Sequence, residues 1–173
     1  MTLEEFNSLP SDTALEKLIE CCHCRSWATL MESGRPFSDK ATLLEKADEY
    51  WSNMEEPEFL EAFKGHARIG DLEKLKDKYS RASAEQGQVA QAAEATLQGL
   101  LNQNTAYEER HGFIFIVCAS GKSASEMLAL LEARIGNTRE EELSNAANEQ
   151  AKITKLRLNS LFSNLTKQSS KKR

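Results

Sequence analysis

Glycine and proline are scarce, 8 and 3 in 173 residues. Sandwiches and barrels of many short strands need turns rich in both, so this shortage excludes them and favours long helices. No apolar run approaches the ~20 residues that span a bilayer. The opening Met1-Thr2-Leu3-Glu4-Glu5-Phe6 lacks the basic-then-apolar pattern of a secretory signal, and Lys171-Lys172-Arg173 is not a peroxisomal address. The expectation is a cytoplasmic protein with no membrane partner. Basic charge is in deficit, 22 Lys and Arg against 27 Asp and Glu, for a formal net charge of −5. Four of those cations sit in the tail Lys167-Gln168-Ser169-Ser170-Lys171-Lys172-Arg173, so the body is more acidic still. Such a body repels a phosphate backbone, and nucleic acid is excluded as a partner. No P-loop, GxGxxG, HExxH or GxSxG motif occurs, which removes the commonest nucleotide, zinc-protease and acyl-transfer readings.

What is present is helical periodicity. Leu15, Leu18, Ile19 and Cys22 carry an amphipathic helix from about Asp12 to Met31, which Gly34-Arg35-Pro36-Phe37 breaks. Leu43, Leu44, Ala47 and Trp51 mark a second helix over about Asp39 to Met54. Pro57 suits the first turn of a short third one bearing Phe59, Ala62 and Phe63. Gly65-His66-Ala67-Arg68-Ile69-Gly70-Asp71 has no period and reads as a loop. Ser83-Ala84-Glu85-Gln86 is a capping box for a long helix to about Tyr107, with Val89, Ala93, Leu97, Leu100 and Leu101 as its stripe. Further capping boxes at Ser123–Glu126 and Thr138–Glu141 open two more helices. The last runs through Leu143, Ala146, Ala147, Ile153, Leu156 and Leu161. Phe113–Ala119 is the only strand-like run. A lone strand has no partner, so it is expected as a buried irregular segment near 112–121. The fold expected is all-α, a single multi-helix domain of about six to eight helices over 1–165, with a flexible basic tail at 166–173.

Few residues could carry chemistry. Cys21, Cys22 and Cys24 crowd around His23, but successive helical residues diverge by about 100° and no second cysteine pair completes a tetrahedral set. They are expected as reduced thiols, with Cys22 on a core face and no metal bound. Of the three histidines, His23 reads as a surface residue and His111 precedes a turn at Gly112. His66 shares its loop with Arg68, where an imidazole can move a proton and a guanidinium can hold an anion. A hydrogen-bonded loop histidine is the simpler alternative. Helix-start preferences alone account for Glu85 and Ser83. Arg157, four residues from both Ile153 and Leu161, lies on or beside the apolar stripe, as either a structural ion pair or an anion clamp.

Several ordered segments resemble one family. They are Leu9-Pro10, Trp27, Arg35-Pro36-Phe37, His66-Ala67-Arg68-Ile69-Gly70-Asp71, Glu85-Gln86, Asn104 with Tyr107, Gly112 to Lys122, Glu142-Leu143 and Lys152 to Leu158. Together, over about residues 6–162, they resemble 2-oxo-4-hydroxy-4-carboxy-5-ureidoimidazoline (OHCU) decarboxylases of urate breakdown. Two positions depart from the family pattern: Ala67 stands where proline is usual, and Ala82 where a serine is usual, with Ser83 one place later. The resemblance implies an all-helical homodimer that takes a small ureidoimidazoline to (S)-allantoin without a cofactor. It implies His66 as acid/base, Glu85 as an orienting hydrogen-bond acceptor and Arg157 as an anion clamp. It also implies substrate contacts from Ala67, Ala82, Ser83, Ala84 and Gln86 and from backbone groups of Ile116, Val117, Cys118, Ala119 and Ser120. A competing reading remains: a non-catalytic helical binding or dimerisation module, with Arg68 and Arg157 salt-bridged and the apolar block as a partner groove.

Overall fold

Local caps fix most helix starts in the computed structural model, which describes residues 1–66 and 89–171, with side chains at 89–93 and 163–171 excepted. Thr2 caps α1 (Leu3–Ser8), which is followed by α2 (Ser11–Cys21) and α3 (Arg25–Ser33). Asp39 caps α4 (Lys40–Ser52) by accepting the Thr42 N–H at 2.7 Å, and that bond holds its carboxyl below the ordinary carboxylate range. A Glu55/Glu58 capping box with Pro57 in the first turn opens α5 (Glu56–Lys64). Then come α6 (Val89–His111), α7 (Ala124–Ile135) with a Ser123/Glu126 capping box, and α8 (Arg139–Lys171), where Thr138 Oγ1 accepts the Glu141 N–H at 3.1 Å. All eight described elements are helices, and the described residues contain no strand. The all-α expectation holds. No described helix is long and apolar enough to cross a membrane.

The expected helix from Asp12 to Met31 is in fact two. Leu18 and Trp27 are nine residues apart, which on one helix places them on opposite faces. Both are fully buried in one core, so the chain must break between them. It does so at Cys22–Cys24, where Cys22 and Cys24 take extended backbone. His23, at this break rather than on a helix, is exposed as expected.

Contacts divide the chain into two compact units, Met1–Gly65 with Ala147–Arg173, and His66–Ala146. The core of the first is built from Phe6, Leu18, Trp27, Met31, Leu43, Trp51 and Leu158. Its two indoles each reach a helix carbonyl: Trp27 Nε1 donates to Ala47 O at 3.0 Å and Trp51 Nε1 to Ala147 O at 2.9 Å. Buried indole N–H groups need such acceptors, and each bond pins one helix on another. In the second unit α6 packs along α7, burying Leu97, Leu100, Tyr107, Met127 and Leu131.

Guanidinium groups close four helix C-termini, where unpaired carbonyls and the dipole attract a cation. Arg35 Nη1 reaches Phe6 O and Leu9 O at 2.8 Å each at the end of α1. Arg139 Nε reaches His111 O at 3.1 Å at the end of α6. Arg110 reaches Gly136 O and Asn137 O after α7, and Arg157 reaches Glu20 O and Cys21 O at the end of α2. Arg35-Pro36-Phe37 is thus a structural motif: beside the Arg35 cap, the Asn7 amide exchanges two 3.0 Å bonds with the Phe37 backbone.

The face that α8 buries differs from the expected stripe. Glu142, Ala146, Gln150, Thr154 and Leu158, each four apart, are buried with Ala147, whereas Leu156 is 47% exposed and Ile153 half-buried. Hydropathy does not find this face because three of its members are polar. Their bonding partners, among them Thr154 for Gln150 at 3.0 Å, make burial tolerable.

Candidate active site

The irregular segment between α6 and α7 is bounded by two glycines in left-handed backbone, Gly112 (φ 81°) and Gly121 (φ 74°). Non-glycine residues resist that conformation, so Gly112 turns the chain out of α6 and Gly121 turns it ahead of α7. Lys122 N–H closes the second turn on Ala119 O at 3.1 Å, leaving Ser123 to cap α7. Between them Phe113–Ala119 is neither helix nor strand, as expected. Its aromatic rings anchor it: Phe113 and Phe115 stand edge-on to Tyr107 at centroid distances of 6.0 and 5.2 Å.

The resemblance implies that backbone groups of Ile116–Ser120 contact substrate, but three of the five carbonyls are already engaged. Ile116 O accepts Arg134 Nη1 at 2.8 Å, Cys118 O accepts Lys122 Nζ at 2.9 Å, and Ala119 O closes the turn. Ile116 and Cys118 are buried, and buried carbonyls seek donors. The amide side differs. The N–H groups of Ile116, Val117, Ala119 and Ser120 meet no acceptor among the described residues. The segment therefore offers hydrogen-bond donors.

Arg134 is itself held by Glu142, which is 0% exposed and the one fully buried carboxylate among the described residues. Glu142 Oε1 accepts Tyr107 OH at 2.6 Å and Arg134 Nε at 2.8 Å. Its Oε2 accepts Asn137 Nδ2 at 2.9 Å and Asn145 Nδ2 at 2.8 Å. Burial alone would raise this carboxyl, but the bonds from Tyr107, Asn137 and Asn145 and the charge of Arg134 more than reverse it, and Glu142 titrates below the ordinary range. Burial and the adjacent Glu142 push the Tyr107 phenol far upward, so it remains a donor. Sequence reasoning gave Tyr107, Arg134 and Glu142 no role in the site. The available signal was a carboxylate four residues before Ala146, at a buried position that only a bonded charge can occupy.

His66 is half-buried in the bend after α5. The preceding Gly65 lies against His23: a Cβ there would overlap His23 Cβ and stand 2.8 Å from its Cγ. Arg157 lies beside the buried face of α8 and is exposed. Its Nη1 bonds to Glu20 O and Cys21 O are long, 3.4 Å each, and among the described residues its other N–H groups meet no acceptor. A salt-bridged Arg157 finds no support among these contacts. Ile116–Ser120 form one continuous element. Glu85, Ala67, Arg68, Ala82, Ser83, Ala84 and Gln86, with the expected loop to Asp71 and its following helix cap, lie outside the described residues. Cys21, Cys22 and Cys24 are buried free thiols. Burial raises Cys21 to about 11 and Cys22 to about 12, so both stay protonated and unreactive at neutral pH.

Residues 7–159 match the sequence model of OHCU decarboxylases. The chain belongs to the OHCU decarboxylase family. Among its relatives, the uric acid degradation bifunctional protein TTL of Arabidopsis thaliana is 34% identical over 151 residues, covering 85% of this chain and 47% of the relative. The chain thus spans about half the length of that relative. The Haloferax volcanii OHCU decarboxylase is 26% identical, covering 94% of this chain and 97% of its own. A crystal structure of an OHCU decarboxylase in the presence of (S)-allantoin superposes with a TM-score of 0.70 at 33% identity, covering 86% of this chain and 98% of that one. The family match spans α2 to α5, the segment 112–121 and the buried Glu142.

Proposed function

We propose that the protein decarboxylates OHCU to (S)-allantoin in the conversion of urate to allantoin, with no cofactor. The observation that carries this reading is the family match across residues 7–159. The substrate chemistry makes it self-sufficient. C4 of the ring bears a hydroxyl and the carboxylate, and an imine adjoins it. When the C4–carboxylate bond breaks, its electron pair flows into that imine and CO2 leaves. The imine nitrogen takes up a proton as the pair arrives, a second proton adds to C5 from one face, and the C4 hydroxyl loses its proton to become the carbonyl. The ring itself is the electron sink, the task for which other decarboxylases recruit a cofactor.

The protein then has to anchor the ring, exclude water and deliver a proton. His66 moves the proton, its imidazole having a reference pKa near 6.5. Glu85 accepts ureido N–H groups and so orients the substrate. Arg157, exposed and with N–H groups to spare, clamps an anionic oxygen in the forked geometry that guanidinium favours. Ala67, Ala82, Ser83, Ala84 and Gln86 line the ring, and Ile116, Val117, Cys118, Ala119 and Ser120 meet its amide edges through the backbone. The protein acts as a cytoplasmic homodimer.

The test follows (S)-allantoin by circular dichroism on substrate freshly made from urate with urate oxidase and hydroxyisourate hydrolase. Wild type should speed growth of the signal well beyond the spontaneous, racemising decay, and His66→Ala should lose about 10²–10⁴-fold of that rate while keeping its helical spectrum. No acceleration by wild type refutes the decarboxylase reading and returns the chain to a binding or dimerisation module. A folded His66→Ala with full turnover removes His66 from the chemistry.

A further inference from the structure

The bonds that hold the irregular segment carry an inference about how it binds. Arg134 Nη1 holds Ile116 O and Lys122 Nζ holds Cys118 O, so two cations grip alternate carbonyls. The peptides that follow Ile116 and Cys118 are trans. In a trans peptide the N–H points opposite to the C=O. Fixing Ile116 O therefore aims the Val117 N–H away from Arg134, and fixing Cys118 O aims the Ala119 N–H away from Lys122. Val117 and Ala119 are half-buried where Ile116 and Cys118 are buried, and neither amide has an acceptor among the described residues. Arg134 cannot easily swing: Nε is fixed on Glu142 at 2.8 Å, and its guanidinium lies over the Phe115 ring at 4.6 Å.

We propose that Arg134 and Lys122 are positioning residues, which hold two carbonyls so that the Val117 and Ala119 amides stand as paired donors to carbonyl oxygens of a planar ureido or cyclic-amide ligand. This rests on the reading above, that Ile116–Ser120 meets substrate. Pre-aimed backbone donors bind such oxygens without first paying the ordering entropy of a free loop. The residues act through the backbone and touch no reacting atom, so their loss weakens binding and leaves the chemical step alone. Lysine cannot replace Arg134, because one ammonium cannot serve the separate Nε and Nη1 bond directions.

Steady-state kinetics of Arg134→Lys and Lys122→Met, with the dichroism assay, test this. Each variant should raise KM by about tenfold, the worth of one well-placed hydrogen bond, with kcat within about twofold of wild type. A purely structural role would lower the melting temperature without that KM-against-kcat split. Folded variants with wild-type KM overturn the proposal. Should Arg134→Lys not fold, Lys122→Met at its surface turn decides alone. A wild type without turnover refutes the decarboxylase reading instead. Amide exchange then decides the positioning: (S)-allantoin should slow exchange at Val117 and Ala119 in wild type and much less in Lys122→Met, and no slowing in wild type overturns it.

Discussion

Replacing Glu142 with glutamine should cost far more than one hydrogen bond. Each carboxylate oxygen takes two donors: Tyr107 OH and Arg134 Nε on Oε1, Asn137 and Asn145 Nδ2 on Oε2. Glutamine has a single acceptor oxygen, so whichever way its amide is set, the NH2 faces two donors. Arg134, whose side chain is 13% exposed, would also keep its charge without a counter-ion. Breaking a buried pair by removing one partner costs about 3–5 kcal/mol, against a total domain stability of about 5–15 kcal/mol. With a urea slope of about 1–3 kcal/mol per molar, the midpoint of Glu142→Gln should fall by more than about 1 M. The double replacement Glu142→Leu with Arg134→Met should lose less than the two single losses added, because no lone charge stays buried. Acid unfolding adds a second reading. The folded carboxyl lies below its ordinary value of 4.5, so its contribution is complete above that pH and is lost as pH falls through the lower folded value. Glu142→Gln should lack this part of the acid slope. A glutamine variant within about 1 kcal/mol of wild type would refute the argument.

Gly65→Ala should destabilise by about 1–3 kcal/mol, because a Cβ there collides with His23 although the backbone (φ −72°) accepts alanine. A drop in melting temperature that His23→Gly reverses would bear this out, and an unchanged one would refute it. Cys21, Cys22 and Cys24 should resist a thiol reagent in the folded protein and react once guanidinium unfolds it, since burial raises all three thiols. Rapid native labelling of Cys21 or Cys22, read by mass spectrometry, would contradict their burial.

The sequence alone determined the helices that begin on local caps. Asp39 with Thr42, Glu55 with Glu58 and Ser123 with Glu126 each act within three residues, so the chemistry that starts α4, α5 and α7 is contained in a short window. It also determined the irregular segment, because Gly112 and Gly121 bracket a β-branched and aromatic run with no strand to pair with. The family motifs were legible as well, though a motif does not say what a residue touches: Arg35-Pro36-Phe37 closes a helix end, and Tyr107 and Glu142 share a buried bond. Only the tertiary structure decided the break at Cys22–Cys24, since Leu15, Leu18, Ile19 and Cys22 keep helical spacing up to it and the need to bury both Leu18 and Trp27 does not show locally. It alone decided that α8 buries Glu142, Gln150 and Thr154 while Leu156 faces out. It alone turned the carbonyls of Ile116 and Cys118 inward onto Arg134 and Lys122. The last two share a physical reason. A polar group is buried where partners satisfy it, and partners such as Tyr107 for Glu142, 35 residues away, are brought together only by the packed helices.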